Sequence, residues 1–202
     1  MSKTVLGPDG QARCRWCDAA PEFLDYHDNE WGFPVEDDTR LFEKLCLESF
    51  QSGLSWRTIL NKRENFRTAF ADFDHRKIAA FDEADRARLM ADAGIVRNKS
   101  KIEATINNAQ RMCELVDAEG SLAGFVWRFE PPAETLPEPQ TMSTSAASVA
   151  LSKELKKRGW KFLGPTTVFA FMQAMGLIND HAKNCVVREK VRQARLDFEP
   201  PN

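Results

Sequence analysis

Residue types that bind metal ions stand at both ends of this chain, and they limit how it can fold. Cys14, Cys17 and His27 lie near the amino terminus, whereas His181 and Cys185 lie near the carboxyl terminus. The spacing of His181 and Cys185 places them one turn apart on a helical face, where both can reach one ion. Tetrahedral zinc accepts mixed thiolate and imidazole ligands. A zinc site of this kind would hold the two ends together, and with no open position it would be structural.

Two ligand sets fit this site by spacing alone. One comprises Cys14, His27, His181 and Cys185, and the other replaces His27 with Cys17. The alternative is a set of unrelated thiols and surface histidines, although two of the three histidines fall in this group. Five cysteines in a chain without a secretion signal favour metal or free thiols over disulfides. We expect one structural zinc per chain.

The length and composition are those of one domain. The 202 residues are 43% hydrophobic and include 14 Phe, enough for a substantial core. No apolar stretch is long enough to cross a membrane, so we expect a soluble, cytoplasmic protein, most simply a monomer, with no membrane partner. The net charge of −2 does not indicate a nucleic-acid binder, although basic clusters occur at 97–101 and 153–161.

The secondary-structure signals predict an all-α fold. Residues that cap helices precede most apolar runs, beginning with Asp38 or Thr39 ahead of a helix that reaches about Gln51. We find no convincing strand alternation. The segment from Ala182 to Asp197 is polar and helical in character. We expect a single domain spanning 1–202, with 186–202 as a polar tail.

An acid interrupts the apolar face of the helix that follows Asp38. Steps of four and then three residues from Leu41 pass through Leu45 and reach Glu48. The helix would direct this carboxylate toward the core, where an ionised acid requires a cation or hydrogen-bond donors. The alternatives are an acid paired for structural reasons, or a helix rotated far enough to solvate Glu48.

Aromatic residues accompany this acid. Three of the five Trp lie close to other distinctive residues, namely Trp16, Trp31 and Trp56, and the single tyrosine, Tyr26, precedes His27. Aromatic walls with one carboxylate suit a flat ligand that is cationic or bears an amine, such as a nucleobase. Ordinary core tryptophans would give the same pattern.

Two turns could contact DNA. Gly94 lies in a short turn that leads into a helix N-terminus, where unpaired backbone N–H groups can face a phosphate. Arg97, Lys99 and Lys101 add positive charge at the same end. Such a turn holds a phosphate without reading sequence, although a plain αα-hairpin would look similar. Leu54, in a turn between two helices, is a candidate wedge into a base stack, and a core leucine is the alternative.

Several separated motifs share one family pattern. They are YHDNEWG at 26–32, LESFQSGLSW at 47–56, KREN at 62–65, DAGI at 92–95, LSKELKKRG at 151–159 and NDH at 179–181. Together they resemble bacterial 3-methyladenine DNA glycosylase I over about residues 13–185. The resemblance implies a helix-hairpin-helix DNA glycosylase fold, with a structural zinc joining the two ends.

The resemblance also implies roles for individual residues. Its zinc ligands are Cys14, His27, His181 and Cys185, which leaves Cys17 as a spare thiol. The residues implied to bind the base are Glu48, Tyr26, Trp56, Trp16, Trp31 and Phe23. Phe23 stands where the family has a tyrosine, so a hydroxyl is missing while the aromatic wall remains.

The implied reaction is hydrolysis of the N-glycosidic bond of 3-methyladenine in duplex DNA, which leaves an abasic site and the free base. Methylation at N3 makes the base cationic, so it departs without a strong general acid, after an extrusion that costs a few kcal/mol. Glu48 would bind the exocyclic amine, Tyr26 would add a polar contact and Trp56 would stack. We expect a neutral adenine to leave Glu48 with an uncompensated buried charge.

Two other functions fit parts of this pattern. One is a zinc-stapled helical DNA-binding module without catalysis. The other is an unrelated enzyme that uses Glu48 as a general base on a small substrate with an amine. Release of free base from methylated DNA separates the three.

Overall fold

The computed structural model describes residues 2–201, which are mostly helical. The α-helices of this part of the chain are α1 (Glu22–Asn29), α2 (Asp38–Gln51), α3 (Trp56–Leu60), α4 (Arg63–Ala69), α5 (His75–Ala79), α6 (Glu83–Ala91), α7 (Lys99–Glu119), α8 (Leu122–Trp127), α9 (Ala146–Lys157), α10 (Pro165–Ala174) and α11 (Val186–Leu196). Short 3-10 helices cover Arg15–Ala19, Ala71–Phe73 and Ala133–Thr135. None of these described helices combines the length and apolarity that a membrane crossing requires.

A short β-hairpin near the amino terminus departs from the predicted all-α fold. Strand β1 (Thr4–Leu6) pairs antiparallel with β2 (Ala12–Cys14), with Thr4 opposite Cys14. Gly10 has φ +74° in the connecting turn, a conformation that glycine adopts without steric cost. The all-α prediction is therefore wrong for this segment, because strands of three residues are too short to show alternation. The hairpin matters because β2 ends on Cys14.

Helix α2 lies at the centre of the fold. All residues from Leu41 to Phe50 are buried, and the helix packs against α3, α7, α8 and α10. Asp37 caps it by accepting the backbone N–H of Arg40 at 2.8 Å, one residue before the predicted cap. Asp38 instead accepts the N–H groups at the start of α8. Because α2 is enclosed, its charged side chains need partners inside the protein.

The carboxyl-terminal segment is a docked helix. Val187 and Val191 of α11 are fully buried, and α11 packs against β2. The prediction of a helical tail is confirmed for Val186–Leu196. The two ends of the chain therefore meet, as the proposed metal site requires.

Candidate functional site

Two cysteines and two histidines converge where the chain ends meet. The Sγ atoms of Cys14 and Cys185 and one ring nitrogen each of His27 and His181 all lie within 4.8 Å of one another. Cys185 Sγ is 3.5 Å from His27 Nε2 and 3.5 Å from His181 Nδ1. All four side chains are buried. The cluster therefore has the composition and the size of a tetrahedral metal site.

Hydrogen bonds orient both imidazole rings toward the cluster. His27 Nδ1 lies 2.7 Å from a carboxylate oxygen of Asp28, and His181 Nε2 lies 2.9 Å from the carbonyl oxygen of Trp31. Ring nitrogens donate to these oxygens, because a carboxylate and a carbonyl can only accept. The other nitrogen of each ring then presents a lone pair to the thiols, which is the arrangement found around metal-bound histidine.

The thiols of the cluster also suit a cation. The contact with Cys14 holds the pKa of Cys185 well below its ordinary value, and the same contact raises the pKa of Cys14. The pair therefore readily carries a negative charge. Cys17 is buried outside the cluster, beside Ala20 and Phe23. The structure thus brings together the ligand set with His27 and leaves Cys17 apart.

A cavity of about 360 Å³ lies beside this cluster. Its size is in the range of sites that hold small organic ligands. Its walls combine aromatic rings with polar side chains. The lining residues are Trp16, Tyr26, Trp31, Glu48, Gln51, Trp56, Gln140, Met142, Ala170, Gln173 and Asp180.

Four of the predicted aromatic residues form the walls of this cavity. The rings of Trp16 and Trp31 meet edge to face with centroids 5.1 Å apart. The rings of Tyr26 and Trp56 are tilted, with centroids 5.3 Å apart. Phe23, in contrast, does not line the cavity. It packs behind the wall, 5.9 Å from the ring of Trp16, and its contact with a ligand stays a prediction.

Glu48 points inward, as its helical position predicts, and is only 6% exposed. Its Oε1 lies 2.8 Å from Nζ of Lys44, one turn earlier on α2. Lys44 Nζ also donates to the hydroxyl of Tyr26 at 2.8 Å and sits 3.5 Å from the ring centroid of Trp56. Burial alone would lower the pKa of Lys44, but Glu48 and Tyr26 outweigh it and hold that pKa above its ordinary value.

Sequence reasoning missed Lys44 although a signal was present. A lysine four residues before Glu48 is its neighbour on any helix, because residues i and i+4 share a face. The expectation that a neutral ligand would leave Glu48 uncompensated is therefore wrong. The carboxylate has a resident counter-ion before any ligand arrives.

A second acid that lines the cavity, Asp180, was also missed. Asp180 accepts the backbone N–H of Gln140 at 2.8 Å and the side-chain amide of Gln173 at 2.6 Å. Burial raises the pKa of Asp180. Asp180 precedes His181 in the chain, so the cavity and the cluster of cysteines and histidines share this segment.

The turn between α6 and α7 is tightly built around Gly94. Its N–H donates to Asp92 Oδ1 at 2.7 Å, and its carbonyl accepts from Lys62 Nζ at 3.1 Å. A Cβ at this position would lie 2.9 Å from Asp92 Oδ1 and 3.2 Å from Asn65. Glycine fits this turn without displacing Asp92 or Asn65, and Arg97 and Lys99 beyond it are exposed.

Lys101 does not take part in this exposed basic surface. Its side chain is buried, and its Nζ donates to the carbonyl oxygens of Phe50 and Ser52 at 2.7 and 2.6 Å. The prediction that Lys101 contacts DNA is therefore wrong, because the ammonium caps the carboxyl end of α2.

Leu54 lies in the turn just after α2 and is 42% exposed. This exposure excludes the alternative that Leu54 is a core leucine.

Comparison with known proteins places this site in a family. The chain belongs to the methyladenine glycosylase family, whose model matches residues 16–189. It is 47% identical over 177 residues to DNA-3-methyladenine glycosylase 1 of Escherichia coli (strain K12), covering 86% of this chain and 95% of that protein. It is 43% identical over 177 residues to DNA-3-methyladenine glycosylase of Haemophilus influenzae, covering 86% and 96%.

Solved structures agree with the sequence relatives. A crystal structure of 3-methyladenine DNA glycosylase I has a TM-score of 0.79 and 45% identity, covering 86% of this chain and 98% of that one. A structure described as the basis of 3-methyladenine recognition by the Staphylococcus aureus enzyme has a TM-score of 0.77 and 39% identity, covering 84% and 93%. The helical fold is shared with these enzymes.

Proposed function

We propose that this protein removes 3-methyladenine from alkylated DNA by hydrolysing its N-glycosidic bond, the first step of base-excision repair. The observation that carries the proposal is the cavity whose wall contains Glu48, Tyr26 and Trp56, in a chain of the methyladenine glycosylase family. A related structure holds 3-methyladenine itself. The products would be the free base and an abasic site.

The polar groups of the cavity retain capacity for a purine. Oε1 of Glu48 faces Lys44, and within residues 2–201 no other donor contacts this carboxylate, so Oε2 can accept the exocyclic amine of the base. The Tyr26 hydroxyl accepts from Lys44 and therefore keeps its own proton to donate. Trp56 offers a ring on which the extruded base can stack, while Trp16 and Trp31 close the other side.

The chemistry asks little of the protein beyond holding the extruded nucleotide. Methylation at N3 gives the base a positive charge, and it leaves as a neutral molecule. The protein therefore supplies binding and orientation, while a general acid for the leaving group is unnecessary. The energy of extrusion, a few kcal/mol, comes from contacts with the base and the flanking DNA.

We assign DNA contacts to two turns on the basis of exposure and charge. Helices α6 and α7 with the turn at Gly94 form the helix-hairpin-helix unit, and Arg97 and Lys99 provide the positive charge beside it. Leu54 is the candidate wedge that fills the space left by the extruded base. Lys101 links these two turns. It lies in the first turns of α7, and its Nζ donates to the carbonyls at the end of α2, just before the turn that contains Leu54.

We assign a structural zinc ion to the cluster of Cys14, His27, His181 and Cys185. The donor set fits, because two thiols and two oriented imidazoles face one point. Zinc would supply the positive charge that holds both thiolates at this junction. The protein would then be one glycosylase domain over residues 1–202, acting as a monomer on duplex DNA.

Incubation with DNA methylated at adenine N3 tests the proposal. We expect free 3-methyladenine in the supernatant and abasic sites in the DNA. Glu43→Gln is the matched control for Glu48→Gln in this assay. It alters another buried acid of α2, which pairs with Arg67 outside the cavity. Binding without base release would support a DNA-binding module instead, and neither binding nor release would support an unrelated enzyme.

A further inference from the structure

Lys44 stands directly behind the wall of the cavity. Glu48 lines the cavity of about 360 Å³, whereas Lys44 lines a much smaller one of about 20 Å³. Tyr26 and Trp56 line both, so these two rings separate the spaces. The ammonium group of Lys44 therefore reaches three cavity residues from behind: the carboxylate, the phenol and the indole.

Glu48 is the acid that Lys44 pairs with. The other carboxylates around the smaller cavity have arginine partners: Glu30 lies 2.6 Å from Arg63, and Glu43 lies 2.8 Å from Arg67. The side chains of Lys44 and Glu48 are each only 6% exposed, so solvent screens their charges weakly. A cation that enters the cavity meets a carboxylate whose charge is already largely neutralised.

Lys44 also weakens the attraction of the Trp56 ring for a cation. Nζ of Lys44 lies over the Trp56 ring, 3.5 Å from its centroid, and therefore occupies one of the two faces of the indole. A base can stack only on the other face. An ammonium on one face draws the electron density of the ring toward itself, and this weakens the attraction of the opposite face for a second cation.

We propose that Lys44 is a specificity-determining residue that lowers the preference of the cavity for positively charged bases. The same cavity then accepts neutral purines of this shape as well as the cationic lesion. Shape, stacking and the hydrogen bonds of Tyr26 and Glu48 select the base, and its charge contributes less than a lone carboxylate would give. The inference rests on the proposed function, because it concerns the same cavity.

Asp180 does not alter this comparison. It is a second acid in the lining of the cavity and contacts Gln140 and Gln173. Its contribution is the same in every variant of Lys44, so it cancels when one variant is compared with another. The effect of Lys44 can therefore be measured as a change in preference between a charged and a neutral ligand.

Two small ligands measure the preference. The fixed cation 3,9-dimethyladeninium and neutral 3-methyladenine are titrated separately into the protein in mildly alkaline buffer, and the ratio of their dissociation constants is taken. Lys44→Met removes the charge at similar length, and we expect it to raise the preference for the cation by about tenfold or more. Lys44→Arg keeps the charge and should leave the ratio near that of the wild type.

Controls separate this effect from general damage. Lys153→Met removes an exposed lysine of α9 and should leave the ratio unchanged. Lys44→Met leaves Glu48 buried without its partner and can fail to fold. The same substitution is therefore also made in Glu48→Gln, where no charge is left unpaired, and it should again raise the preference for the cation.

The outcomes distinguish the two proposals. If Lys44→Met binds both ligands with the ratio of the wild type, in either background, the inference about Lys44 is overturned while the glycosylase function stands. If the wild-type protein binds neither ligand, the proposed function itself fails. A purely structural role for Lys44 would weaken both affinities equally and leave the ratio unchanged.

Discussion

The metal cluster and the cavity are adjacent, but they satisfy their charged groups in different ways. In the cluster, each imidazole has an acceptor on its outer nitrogen, and the four inner donor atoms face one another. In the cavity, Lys44 occupies one oxygen of Glu48 and leaves the other for a ligand. One ion would complete the cluster and leave it closed, whereas the cavity keeps free hydrogen-bonding capacity for a ligand.

The two regions are mechanically joined. Tyr26 lines the cavity, and the next residue on α1, His27, belongs to the cluster. The carbonyl of Trp31 accepts from His181, while the ring of Trp31 lines the cavity. The cluster therefore fixes the backbone that carries the cavity walls, and it should affect binding only through that support.

Removal of the metal should give the largest effect. A structural zinc contributes about 10 kcal/mol or more of gross binding energy in zinc-finger peptides, so its loss should strongly destabilise the joined ends. We expect Cys185→Ser to lose the metal and to unfold at a much lower temperature, as measured by elemental analysis and calorimetry. Cys17→Ser is the matched control and should keep both. Loss of metal in Cys17→Ser alone would contradict the assigned ligand set.

Glu48→Gln should separate the cavity from the cluster. Truncating one partner of a buried charge pair typically costs about 2–5 kcal/mol, which corresponds to a loss of excision rate between about thirtyfold and several thousandfold. Metal content should remain at one ion per chain, because Glu48 contacts no ligand of the cluster. Metal loss in this variant, measured beside base release, would show that the two regions are not separate.

The sequence predicted the cluster more completely than the cavity, for a physical reason. Metal ligands are restricted to few residue types, so Cys14, His181, Cys185 and either His27 or Cys17 stand out even when the fold is unknown. Cavity walls are built from residues that occur in any core or surface. Lys44 was recoverable from helical spacing alone, whereas Gln140 and Gln173 reach the cavity only through tertiary packing.

The errors in the DNA-binding prediction have the same origin. Arg97, Lys99 and Lys101 look equivalent in the sequence, but only the first two are exposed. The helical turn directs Lys101 toward the protein, where it meets the free carbonyls at the end of α2.

The prediction of an inward Glu48 is confirmed because a long, strongly periodic helix leaves little freedom in the direction of each side chain.

Trp56→Leu should weaken base binding without affecting the cluster. Stacking on an aromatic side chain contributes about 1–3 kcal/mol per base, so the affinity for free 3-methyladenine should fall by about fivefold to 150-fold. Titration with 3-methyladenine measures the loss, and elemental analysis of the same sample measures the metal. Undiminished affinity in this variant would show that the base stacks elsewhere.

Phe23→Tyr should have the smallest effect, although it restores a residue that the family pattern contains. Phe23 packs in a small cluster with Cys17 and Ala20, and its ring meets the ring of the cavity residue Trp16 edge to face. We expect the affinity for 3-methyladenine to change by less than about twofold, within about 0.5 kcal/mol. A tenfold gain in the same titration would mean that this ring enters the cavity when the base binds. Phe23 would then belong to the residues that contact the base, and not to those that pack behind Trp16.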